Sequence, residues 1–249
     1  MPTSTIKEQK SMPPNTEFKD VILLHGLFGS LSNWKAVQQE FSEEYRLFTP
    51  ELPLFKPFVG TSRLDRLVTF LEAYIEEHKI FKPVLIGNSL GGHVALLYAL
   101  KHPNKVGKLV LAGSSGLYEN SFGGSFPRIK DYSYIRQKVE DVFDRKEVVS
   151  DEVVESVYSI VQSSVKAIAV IGLAKDAQRQ NLKKHLHKIT IPVLLIWGLQ
   201  DIVTPPDVAH EFYFLLPHAK LHLLNQCGHV PMMEQPELFN EYVSDFLKQ

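Results

Sequence analysis

Short apolar runs alternate along the chain with longer stretches in which apolar residues recur every three or four positions. Val21–Leu24, Tyr45–Thr49, Pro83–Ile86, Lys108–Ala112, Pro192–Trp197 and Lys220–Leu224 read as strands, most of them buried on both sides. Leu64–Lys79 has helical spacing, with Leu64, Leu67, Val68, Leu71 and Ile75 on one stripe. Leu90–His102 is a second helix, ended by Pro103, and Val208–Leu216 and Pro236–Leu247 are two more. Strands separated by helices imply an α/β fold: a mostly parallel, doubly wound sheet with helices on both faces.

The alternation breaks between Gly113 and about His185, where no strand is expected. Residues 113–125 are a loop by composition. Val153, Val154, Val157, Ile160 and Val161 then follow helical spacing, as do Ile168, Ile171 and Ala174. The stretch reads as a helical cap inserted between two late strands, over one end of the sheet. The expected organisation is a flexible lead over 1–16, a core of 17–114 and 186–249, and a cap over 115–185. Glycines 113, 116, 123 and 124 would allow hinge motion between them.

A chain of 249 residues with 44% apolar and 22% charged positions fits one globular α/β unit and excludes a disordered or coiled-coil protein. A formal net charge of -1 provides no field to attract nucleic acid. The polar first twenty residues have no signal-peptide core, and no apolar run is long enough to span a membrane, so the expected location is the cytoplasm. Cys227 is the single cysteine, which fits a reducing compartment and reads as a buried filler. His185 and His187 lack further ligands at metal spacing and read as exposed; no metal and no cofactor is implied.

The strongest chemical signal is Gly87-Asn-Ser-Leu-Gly-Gly92, between the strand ending at Ile86 and the helix opening at Leu90. Gly-x-Ser-x-Gly in such a turn is a nucleophile elbow, which lifts Ser89 above the sheet at a helix N-terminus. A serine hydroxyl needs a base. His229, in Asn225-Gln-Cys-Gly-His229 just past a late strand, is placed to supply one. Asp201, after the strand ending at Trp197, is placed to orient that histidine. Asp207 is the competing acid and reads as a first-turn helix charge. Thr204 reads as the N-cap of that helix, with Pro205 at its first position. Acyl transfer also needs two N–H donors for the oxyanion. Leu90, after the nucleophile, and Leu27, in His25-Gly-Leu-Phe-Gly-Ser30, are the candidates, with Phe28 next. His25 reads as structural, bonding its own loop. His93, one turn into the elbow helix, reads as packed or solvent-facing.

His-Gly-x-x-Gly, Gly-x-Ser-x-Gly-Gly, Trp-Gly-x-x-Asp and Gly-His-x-Pro-x-x-Glu-x-Pro occur in order, and over about residues 20–249 the sequence resembles the α/β-hydrolase superfamily. Within it the chain resembles cap-bearing serine hydrolases, the meta-cleavage-product (C–C bond) hydrolases and small carboxylesterases among them. The resemblance implies a Ser89–Asp201–His229 triad, an oxyanion hole at Leu27 and Leu90, and a pocket touching Phe28, Asn88 and Val230. It implies a small-molecule substrate and no nucleic-acid or membrane partner, and leaves the oligomeric state open. Ser89 in the elbow separates it from the aspartate-using dehalogenases and epoxide hydrolases. Three positions depart from the C–C hydrolases. Val230 replaces the usual Trp, Glu51-Leu-Pro-Leu-Phe-Lys56 replaces a glycine-rich pocket loop and should take another shape, and no cap arginine stands out among Arg128, Arg136 and Arg179. Phe122, Phe126, Tyr132, Tyr134 and Phe143 are candidates for an apolar acyl pocket or for cap packing. Hydrolysis of a small or medium carboxylic ester is the first expectation. C–C cleavage of a vinylogous diketone is the second, and a ligand-binding protein with weak catalysis the third.

Overall fold

The computed structural model describes residues 20–29, 34–56, 62–120 and 128–249. The expected lead over 1–16, Ser30, Phe122, Phe126, Gly123 and Gly124 lie outside them.

Six strands form one parallel sheet: β1 (Asp20–Leu24), β2 (Arg46–Phe48), β3 (Val84–Asn88), β4 (Lys108–Ala112), β5 (Val193–Gly198) and β6 (Ala219–Leu224), in the order β2-β1-β3-β4-β5-β6. Each lies within a residue or two of its expected run. Strand side chains alternate between the two faces, so a sheet covered on both sides buries two cores. Ile22, Leu24, Leu85, Leu109, Leu111 and Leu195 point to one core. There they meet α2 (Arg63–Glu77), α3 (Leu90–Lys101) and α7 (Pro206–Leu215). Val21, Leu23, Ile86, Val110, Leu194 and Ile196 point to the other. They meet α1 (Lys35–Phe41) and α9 (Pro236–Lys248). Helix α1 was absent from the pattern expectations: it is two turns long, and only Val37 and Phe41 are buried.

Between β4 and β5 lie α4 (Tyr132–Glu140), α5 (Asp151–Gln162) and α6 (Ser164–Arg179). Helices α4 and α5 continue the second core through Ile135, Val139, Val154 and Val157, while α6 joins the first through Leu173 and Ala177. The insertion therefore straddles the sheet. The expected helices are present, and Ile168 and Ile171, whose spacing marked α6, are not on its buried face. Val170, Leu173 and Ala177 are buried, whereas Ile168 and Ile171 are 66% and 50% exposed. Apolar residues occur around most of α6, so periodicity could not choose a face. Packing on α2 does, and the Arg63 backbone N–H and guanidinium both reach Asp176 there. Among the described residues no single helix is long and apolar enough to cross a membrane.

The β3–α3 turn is a tight junction. Ser89 has φ 52° and ψ -119°, a conformation non-glycine residues rarely hold. Its N–H donates to the Ala112 carbonyl, and its carbonyl accepts from the His93 and Ser115 N–H groups. A Cβ at Gly91 would lie 2.1 Å from the Leu24 carbonyl oxygen, so only glycine lets α3 approach β1 this closely.

His93 lies fully buried beneath this turn, with neither ring nitrogen in a well-formed hydrogen bond. Burial pushes its pKa down to about 4, and the nearby Gln180 backbone only partly opposes this. A base whose folded pKa is lowered leaves the unfolded chain holding more protons at acid pH. Its contribution is therefore complete above pH 6.5 and fades as pH falls toward 4, by at most about 3 kcal/mol. Urea denaturation at pH 7.5 and 4.5 should show a smaller acid loss in His93→Leu than in the parent. An equal loss would remove His93 from the account.

Candidate active site

The carboxyl ends of β1, β3, β4 and β5 and the loop after β6 converge on one pocket. Ser89, His229, Leu27, Leu90, Phe28, Asn88 and Val230, all expected from sequence, line it. Val139, Val142, Phe143, Val153 and Val157 from the insertion form much of the remaining wall, with Met233. Of the aromatic candidates Phe143 contributes. Tyr132 packs edge-on against Tyr158 instead, and Lys138 sits over the Tyr134 ring. The described part of the Glu51–Lys56 loop does not reach the pocket. Leu52 and Leu54 turn into the core, and the Leu52 N–H donates to His25 Nε2.

His25 therefore acts as a joint. Its Nδ1 donates to the Gly26 carbonyl while Nε2 accepts, a pattern only the neutral ring can satisfy. Burial lowers its pKa in the same sense.

Asp201 is buried and receives hydrogen bonds on both oxygens. Oδ1 accepts from the Val203 and Thr204 N–H groups at 2.8 and 2.9 Å. Oδ2 accepts from Thr204 Oγ1 at 2.8 Å and from His229 Nδ1 at 2.9 Å. With Nδ1 engaged, Nε2 is the nitrogen left for a hydroxyl in the pocket. Burial opposes charge on His229, but the Asp201 carboxylate, with smaller help from Glu119 and Glu234, outweighs it and holds the imidazole pKa above 6.5. Thr204 is thus a correction: it is not the N-cap of α7. Pro205 occupies that position and Pro206 is the first helical residue, while the Thr204 hydroxyl is spent on Asp201. Asp207 lies in the first turn of α7, as expected.

Leu27 and Leu90 each present a backbone N–H that no acceptor among the described residues takes. Gly113, read as a possible hinge, has φ 49° and is packed beneath the Asp–His pair. A Cβ there would lie 2.8 Å from the His229 carbonyl oxygen and 3.2 Å from Asp201 Oδ2. Asn88 touches the pocket but is 3% exposed; its amide donates to the Ala112 and His229 carbonyls, tying the elbow to the histidine loop.

Two carboxylates had no role assigned from sequence. Glu234, fully buried, accepts four backbone N–H groups. Gly228 and Val230 flank His229; Asp144 and Arg145 belong to the insertion. Its signal was its place in the Gly-His-x-Pro-x-x-Glu pattern. Glu119 lines the pocket and accepts from Ser115 Oγ at 2.5 Å. Burial lifts its carboxyl above the usual range, against the Ser115 hydrogen bond and the nearby His229. It sits in a loop that carried no motif. Among the described residues no lysine or arginine lines the pocket. Arg136, one cap candidate, pairs with Asp151 and Glu140 instead. Cys227 is buried, its thiol pKa pushed up by burial first and then by neighbouring carboxylates. His185 and His187 are exposed, and no metal-binding cluster exists among the described residues.

A profile of the alpha/beta hydrolase family matches residues 21–242. The chain belongs to this family. Relatives include an uncharacterized hydrolase of Bacillus subtilis (strain 168), 26% identical over 92% of this chain and 89% of that protein. A 2-hydroxy-6-oxononadienedioate/2-hydroxy-6-oxononatrienedioate hydrolase of Cupriavidus pinatubonensis is 28% identical over 91% and 86%. Among solved structures, an alpha/beta hydrolase enzyme from a lagoon-sediment metagenome superposes with TM-score 0.74 at 35% identity, covering 93% and 91% of the two chains. The meta-cleavage product hydrolase of Pseudomonas fluorescens IP01 superposes with TM-score 0.81 at 22% identity, over 93% and 91%, a likeness of fold.

In this alpha/beta hydrolase Thr204→Val removes one donor to Asp201 at nearly constant volume. Fluorophosphonate labelling of Ser89 should slow about tenfold, the worth of one hydrogen bond to a charged group. Stopped-flow or timed intact-mass measurement checks this, and an unchanged rate would show the hydroxyl to be dispensable.

Proposed function

We propose that the protein is a serine hydrolase that cleaves a carboxylic ester of small or medium size through an acyl-enzyme on Ser89. One observation carries the reading. The strained elbow serine and the Asp201-bound His229 open onto the same pocket, whose wall is mostly aliphatic. Ser89 Oγ attacks the carbonyl carbon as His229 Nε2 takes its proton. The tetrahedral oxyanion is held by the Leu27 and Leu90 N–H groups. The imidazolium, stabilised by Asp201, then protonates the leaving alcohol, and water repeats the cycle to release the acid. The insertion serves as the cap, closing the pocket over the acyl chain and excluding water.

C–C bond hydrolysis is the second reading, favoured by the relatives named as 2-hydroxy-6-oxononadienedioate hydrolases. Those names specify a substrate with two carboxylates. The absence of lysine and arginine from the described pocket lining weighs against such a dianion here and sets ester cleavage first.

Treatment with a fluorophosphonate should add one adduct by intact mass, absent in Ser89→Ala. p-Nitrophenyl esters should turn over, and turnover should fall by a factor of at least about a thousand in Ser89→Ala and Asp201→Asn. Turnover of a 2-hydroxy-6-oxo-dienedioate with no ester cleaved would hand the case to the second reading. No adduct on folded protein would leave a binding role.

The same site sets the pH dependence. His229 must be neutral to accept a proton, and its pKa is held above 6.5. Ester kcat/KM should therefore fall as pH drops through a value above 6.5. An acid limb at or below 6.5 would contradict the assigned Asp201–His229 coupling.

A further inference from the structure

Glu119 is an unusual neighbour for this chemistry. It lies in a largely apolar pocket, and with His229 it makes up the titratable groups among the described lining residues. Its place is set by two anchors. Ser115, whose hydroxyl donates to Oε2, is bonded through its N–H to the Ser89 carbonyl. Asn120, the next residue, donates its N–H to the Val203 carbonyl, two residues from Asp201. The carboxyl is therefore suspended between the nucleophile side and the acid–base side of the site. Oε1 has no protein partner among the described residues, and it is not shut away as an orphaned buried atom.

A carboxylate so placed leaves one oxygen for a ligand. No lysine or arginine among the described lining residues pairs with it, and its titratable neighbour His229 is neutral in the state that accepts a proton. We infer that Glu119 is a specificity-determining group: it favours substrates bearing a cation or hydrogen-bond donor a few bonds from the scissile carbonyl and rejects substrates bearing a carboxylate there. Both halves follow from charge in a partly desolvated site, where like charges repel and opposite charges attract far more than in water. The inference rests on the ester-hydrolase reading of the same pocket and names the substrate class it takes.

Two isosteric series test it, one on each side of the ester. On the alcohol side, butyrylcholine is compared with its neutral isostere 3,3-dimethylbutyl butyrate and with 3-(butyryloxy)propanoate. On the acyl side, the p-nitrophenyl ester of 4-(trimethylammonio)butanoate is compared with that of 5,5-dimethylhexanoate and with the glutarate monoester. In at least one series the cation should exceed the neutral isostere tenfold in kcat/KM, and the carboxylate should fall a hundredfold below it. Glu119→Gln keeps an acceptor for Ser115 and removes the charge. In that variant both ratios should collapse to within threefold. The responding series locates the carboxyl on the acyl or the alcohol side. A merely structural Glu119 would shift every ester by the same factor and leave the ratios intact. That result in both series overturns the inference.

If the parent cleaves no ester, the ester reading fails separately. Calorimetry on Ser89→Ala and on Ser89→Ala/Glu119→Gln then decides the inference. Tetramethylammonium should bind more tightly than acetate, and only while Glu119 is present. Equal binding of both ions overturns it.

Discussion

The close contact between the β3–α3 turn and β1 is the constraint on which the rest of the molecule depends. Ser89 is held at a positive φ that costs roughly 1–3 kcal/mol for a side-chain-bearing residue. Nothing local favours that state. It persists because β4 supplies an acceptor, the loop after β4 supplies a donor, and Gly91 lets α3 sit against the Leu24 carbonyl. The same contact brings the β1 loop, with its unclaimed N–H at Leu27, beside the serine. The strain aims the hydroxyl into the pocket, and the fold sustains it because three neighbouring strands are already fixed by burial on both faces.

A second set of bonds makes the histidine loop part of two structures at once. Glu234 gathers N–H groups from both sides of His229 and from the start of the insertion's middle segment, while the Val142 carbonyl accepts the His229 N–H. Burial raises the Glu234 carboxyl above its usual range in spite of these four donors. Removing such an acceptor would leave several buried donors unpaired, each a loss of about 1–3 kcal/mol. The position of His229 is thus mechanically coupled to the insertion that walls the pocket, and the geometry of the histidine cannot be treated as a property of the sheet alone.

Most of the fold was legible because burial writes itself into composition. A central parallel strand must be apolar on both faces, so Val21–Leu24 and Lys108–Ala112 stand out without any alignment. The elbow and the two acid–base loops were legible because they need glycine, serine, aspartate and histidine at fixed offsets from strand ends. Thr204 was misread because Ser, Thr, Asn and Asp before a proline look alike as caps and as ligands of a neighbouring carboxylate; only the distance to Asp201 separates them. The buried face of α6 was not legible because its rival stripes are similarly apolar, and the choice is made by α2, far away in sequence. Glu119 left no signal at all, since a single carboxylate in a loop reads as solvated until its surroundings are known.

On the proposed reading, the elbow, the acid–base pair and the two N–H donors would serve any substrate whose carbonyl becomes an oxyanion, whether the departing group is an alcohol or a carbanion. They cannot decide between an ester and a dioate. Binding energy that counts toward rate must be realised against the particular molecule that reacts, and for a charged substrate most of it comes from a countercharge in the water-poor part of the site. In this pocket the described lining offers aliphatic contact and a carboxylate. A dianion entering it would lose its hydration to surfaces that do not replace it, beside a group of its own sign. An uncharged acyl chain loses little water and gains the burial of every methylene against Val139, Val153 and Val157. On the proposed reading, Ser89, His229 and Asp201 are surrounded in this chain by a lining that disfavours the dioates for which the relatives are named.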